Sequence, residues 1–88
     1  MTTAIVRVTD LYPHPPRSWK TQTRLECWTA VQHPTPGEPG TLVFDVFDPL
    51  KASAFERAFA RGRLLRVTYH DSKTWRQVDA VEFVEPTP

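Results

Sequence analysis

Apolar and polar residues alternate along most of this chain, and one short stretch departs from that rhythm. In Thr23–Val31 the residues Leu25, Cys27, Thr29 and Val31 share one parity, and Arg24, Glu26, Trp28 and Ala30 share the other. A period of two marks a half-buried strand. The first set makes the better core face, which leaves Trp28 outside beside two charges. Ala4–Tyr12 is β-branched and partly alternating, with Val6 and Val8 expected to face in. Thr41–Phe47 sets Leu42, Phe44 and Val46 against Val43, Asp45 and Phe47, and Asp45 marks the second face as the wetter one. Arg63–His70 sets Leu65, Val67 and Tyr69 against Arg66, Thr68 and His70. A fifth strand over Trp75–Val84 changes phase. Val78 and Ala80 share one parity and Val81 and Phe83 the other, so a bulge is expected near Ala80–Val81.

The departure lies between Asp48 and Gly62. There Leu50, Ala54, Phe55, Ala58 and Phe59 recur at three- and four-residue spacing, the stripe of an amphipathic helix. Asp48 suits the N-cap, Pro49 the first helical position and Gly62 the left-handed stop. The whole stripe is expected to pack inward. Between the strands, Pro13–Thr21 contains three prolines, which remove donors and argue for a loop. His33–Gly40 is a Pro/Gly-rich connector and Asp71–Thr74 a short turn. Glu85–Pro88 reads as a frayed end. Neither side of the connector could fold alone, so residues 1–88 form one domain.

The order is therefore three strands, one helix, two strands. That order, the element lengths and the run Gly62-Arg63-Leu64-Leu65-Arg66-Val67-Thr68-Tyr69 resemble the OB-fold, a mainly β, five-stranded Greek-key barrel with one helix between strands 3 and 4. The resemblance covers essentially the whole chain and is one of fold. An SH3-like barrel is the second choice, though it would not normally carry such a helix here. A mixed α+β sheet is the third. The resemblance implies a binding surface: OB-folds that hold oligonucleotides use the outer face of strands 2 and 3 and the loops joining strands 1–2 and 4–5.

All three tryptophans fall on those elements: Trp19 in the first loop, Trp28 on the outward face of strand 2, and Trp75 where the second loop enters strand 5. Phe47, with Val43, is expected near Trp28. The cations Arg17, Lys20, Arg24, Arg66, Lys73 and Arg76 complete the candidate set. Aromatic faces stack on bases at about 1–3 kcal/mol each while cations follow the phosphates. Single-stranded nucleic acid is the expected partner, and the resemblance to the single-stranded DNA-binding type puts DNA before RNA. Each tryptophan also has a plain structural use: Trp75 as a core residue, Trp28 as a cover for the barrel surface, Trp19 as a loop anchor. The competing function is a protein-interaction module or homodimer that uses Trp28, Phe47 and Val43 as an apolar patch.

Composition changes this picture only in part. The net charge is +1, yet residues 51–76 carry seven Lys/Arg against two acids and residues 34–50 carry three acids with no Lys/Arg. A modestly basic patch can coexist with a near-neutral total. Arg outnumbers Lys eight to three, which suits stacking and phosphate contacts but is equally what a GC-rich genome produces. Four phosphate contacts would give a log–log salt slope of about −3. The lone Cys27 cannot form an internal disulfide, and it shows no metal-ligand spacing with His14, His33 and His70. With three glycines and no phosphate loop, and no recognisable catalytic grouping, neither an enzyme, a metal nor a cofactor is expected. No apolar run is long enough to span a membrane, and no secretory signal opens the chain, so the cytoplasm is the expected location.

Overall fold

A computed structural model describes residues 1–16, 23–73 and 75–84. The elements are β1 (Thr2–His14), β2 (Arg24–Val31), β3 (Thr41–Val46), α1 (Pro49–Arg61), β4 (Leu64–Asp71) and β5 (Arg76–Phe83). The strands close into a barrel in the order β1-β2-β3-β5-β4, with β4 returning to pair with β1. Every pairing is antiparallel except that of β3 with β5, which is parallel and rests on one pair, Asp45 with Gln77. A five-stranded closed barrel with one helix between β3 and β4 fits an OB-fold-like architecture.

The alternation in β2 and β3 becomes the core as expected. Leu25, Cys27 and Thr29 of β2 and Leu42, Phe44 and Val46 of β3 are buried. Thr29 is the one buried polar residue among the described residues, and its hydroxyl donates to the Leu42 carbonyl at 2.8 Å, so it is not left unmet. Burial, reinforced by the Asp45 charge, pushes the Cys27 thiol up to about 12. That makes it a small core hydrophobe.

Two bulges reset the strand phase. In β5 the extra residue is Asp79, between Val78 (paired with Tyr69) and Ala80 (paired with Thr68). It lies beside the expected position and lets Val78, Val81 and Phe83 all pack toward the core. In β1 the extra residue is Thr9, between Val8 and Asp10, and its hydroxyl donates to the Trp28 carbonyl at 3.1 Å. Val6 and Val8 face in as expected. After the bulge the inward parity passes to Leu11, which packs on the core, and Asp10 and Tyr12 turn outward.

β1 also runs further than expected, through Pro13 to His14. The expected loop began too early. β4 pairs with β1 only over Thr2–Arg7, so Pro13 sits where β1 has a neighbour on one side alone, which is where a strand tolerates proline.

The helix ends follow the sequence signals. The Asp48 carboxylate accepts from the Leu50 N–H at 2.9 Å, and this bond, with help from Lys51, holds its carboxyl below the usual aspartate range. Gly62 ends the helix at φ 63° and its N–H donates to the Ala58 carbonyl. The stripe itself is narrower than expected. Ala54, Phe55 and Ala58 are buried, but Leu50 is 82% and Phe59 47% exposed. At 100° per residue these two flank the buried centre by about a right angle on opposite sides. Phe55 alone plugs the barrel, its ring 6.0 Å from that of Phe44, which in turn meets Tyr69 at 5.2 Å. No helix among the described residues is long and apolar enough to cross a membrane.

Candidate functional site

Strand register lays out the outer surface of β1, β2 and β3 row by row. Asp10, Trp28 and Val43 form one row, and Tyr12, Glu26 and Asp45 the next. Trp28 is 39% and Tyr12 49% exposed. Lying one row apart on neighbouring strands, they are diagonal neighbours, within reach of a common ligand. Tyr12 is the residue that the sequence reading missed. Strict alternation from Val6 and Val8 would have turned it inward, and only the Thr9 bulge turns it out. The usable signal was the shift of apolar parity from Val8 to Leu11.

Trp28 is held by its own strand. Its indole Nε1 donates to Glu26 Oε2 at 2.6 Å. That donor, with His14 at 3.3 Å and Arg24 at 3.6 Å, keeps the Glu26 carboxyl below its ordinary range. Glu26 stands directly opposite Asp45, a like-charge pair that would repel by itself. Arg24 relieves it by reaching both carboxylates, with Nε 3.5 Å from Asp45 Oδ1. That nitrogen is buried and, at this distance and angle, makes an ion pair without a hydrogen bond.

Phe47 does not join Trp28 as expected. Val43 is the cross-strand partner of Trp28, and Phe47 lies four residues further along the chain, just past the end of β3. It instead meets Trp75, ring centres 5.9 Å apart and planes at 61°. Trp75 is 42% exposed and is no core residue. The hairpin fixes its backbone, since its carbonyl accepts from the Ser72 N–H at 2.9 Å and from the Ser72 hydroxyl at 2.8 Å. The outer surface therefore carries two aromatic stations, Tyr12–Trp28 and Phe47–Trp75, with Arg24, Glu26 and Asp45 between them.

The remaining candidate cations divide. Arg76 Nε donates to Asp71 at 2.7 Å, its cross-strand partner, and the guanidinium lies 5.2 Å from the Tyr69 ring centre. Arg66 lies on β4, a strand that borders neither β2 nor β3, and pairs with Glu82 at 2.7 Å. Lys73 is exposed at the tip of the β4–β5 hairpin. Arg17, Trp19 and Lys20 lie outside the described residues.

A cleft of about 460 Å³ opens beside the second station, where β3, the start of α1 and β5 converge. Asp45, Phe47, Lys51, Trp75 and Gln77 are among its walls. Comparison with family models, with curated proteins and with solved structures finds no match to this chain.

Proposed function

We propose that this protein binds single-stranded nucleic acid across the outer face of β2 and β3, with DNA preferred to RNA as the first ligand to test. One observation carries the reading: three aromatic side chains, Tyr12, Trp28 and Trp75, are partly exposed, the first two as diagonal neighbours on β1 and β2 and the third in contact with Phe47 where β3 and β5 meet. Stacking on bases gives the exposed faces of these rings a use. Lys73 at the hairpin tip supplies a cation toward the phosphates, and Arg17 and Lys20, which fall between β1 and β2 in the sequence, are the further candidates.

The test is a titration of tryptophan emission with oligo-dT and oligo-U at low salt. Quenching that added salt reverses is the expected result. Trp28→Ala should fold normally, since the indole is outside the core, and bind more weakly by about 1–3 kcal/mol. Unchanged emission with both oligomers at low salt would rule the reading out.

A second reading has its own observation. Asp10, Glu26 and Asp45 place carboxylates among the aromatics, which suits a protein partner better than a phosphate backbone. It calls for association with little salt dependence, or dimerisation at micromolar concentration, which light scattering over a concentration series would detect.

A further inference from the structure

We infer that the cleft at the β3–β5 seam reads a single unstacked base and prefers guanine. This rests on the single-strand reading above and deepens it from stacking alone to base selection.

The seam brings four residues together. Asp45 and Gln77 are the one bridging pair of the parallel β3–β5 contact, so their side chains leave the sheet on the same side. Phe47 follows the end of β3 and Trp75 precedes the start of β5, and their rings meet 5.9 Å apart. All four line the cleft. Trp75 supplies a partly exposed aromatic wall, and Phe47 packs edge-on against it and holds it in place. Asp45 and Gln77 supply the polar wall, on strands about 4.8 Å apart, close to the width of one base edge. Arg24 approaches Asp45 from the β2 side and balances its charge.

The donor and acceptor pattern selects among bases. A carboxylate offers two acceptors and no donor, whereas the glutamine amide offers a donor group and one acceptor and can turn either toward a base, so the carboxylate carries the selection. The Watson–Crick edge of guanine presents the complement, two adjacent N–H donors at N1 and the 2-amino group followed by the O6 acceptor. Thymine and uracil present one donor between two acceptors, and their carbonyl lone pairs would face the carboxylate. Adenine and cytosine each present one amino donor beside a ring-nitrogen acceptor. Guanine is therefore favoured most and thymine or uracil least.

The experiment compares oligo-dT with the same oligomer carrying one central guanine or one central hypoxanthine, by emission quenching on the wild-type chain. The guanine oligomer should bind about tenfold tighter than oligo-dT, the scale of one good two-point base contact. Hypoxanthine, which lacks the 2-amino group, should lose most of that gain. Asp45→Asn and Gln77→Leu should each shrink the guanine preference, with thermal melts reporting that the fold persists. If all three oligomers quench equally, the base-reading cleft is wrong while the stacking reading stands. If none quenches, both are wrong. A guanine preference that survives in folded Asp45→Asn, or that hypoxanthine reproduces in full, would overturn the assignment to the Asp45 carboxylate.

Discussion

Phe55 and Phe59 stand one helical turn apart and have opposite fates. Phe55 is fully buried against Phe44, whereas Phe59 is nearly half exposed on the flank of α1. Phe55→Ala should cost about 3–5 kcal/mol, as for other buried phenylalanines, and Phe59→Ala well under half of that. Urea unfolding of the two variants checks the difference, and equal losses would refute the single-plug arrangement. Periodicity put both residues on one stripe, because spacing reports a direction around the helix axis. How wide a sector the barrel mouth accepts depends on the strands that form it. The same limit applies to Trp28 and Tyr12. Parity alone placed Trp28 outside, since no break interrupts β2. For Tyr12 the intervening Thr9 bulge inverted the answer.

The elements themselves were legible where local chemistry decides them. Asp48, Pro49 and Gly62 specify the ends of α1, and the structure uses each as local rules require. Gly62 holds φ at 63° with nothing within 4 Å of where a Cβ would sit, so a substitution there meets backbone strain and no clash. Gly62→Ala should lower stability by about 1–2 kcal/mol, the left-handed penalty of an L-residue, and thermal melts check this. A neutral result would mean that the chain after α1 can leave by another route. The β5 bulge was legible from the phase slip at Ala80–Val81 because apolar residues on both sides declared their parity. The extension of β1 through Pro13 was not. A proline forbids a two-sided strand, but only the pairing pattern reveals that β1 has lost one neighbour by that point.

At the scale of the whole molecule, barrel closure decides which charges meet. Of the four described candidate cations, Arg24, Arg66 and Arg76 lie within ion-pair distance of carboxylates, and Arg66 is on a strand that borders neither β2 nor β3. Each such partner weakens the cation's claim on a phosphate. The salt slope for oligonucleotide binding should therefore be about −2, from the three contacts that Lys73, Arg17 and Lys20 can supply, and not the value of about −4 for all six candidate cations. Affinity measured by quenching across a salt series gives this slope directly, and a value beyond about −3 would show that the carboxylates release their cations on binding. The sequence by itself determined the strands, the helix and its caps, the outward side of Trp28 and the OB-fold-like order, because each follows from neighbours within a few residues. The tertiary structure alone decided that Phe47 joins Trp75 and not Trp28, that Tyr12 faces out, and that Asp45 meets Gln77 across a single bridge. Those contacts join positions tens of residues apart, or hinge on one inserted residue, and strand register, which no local pattern encodes, sets them.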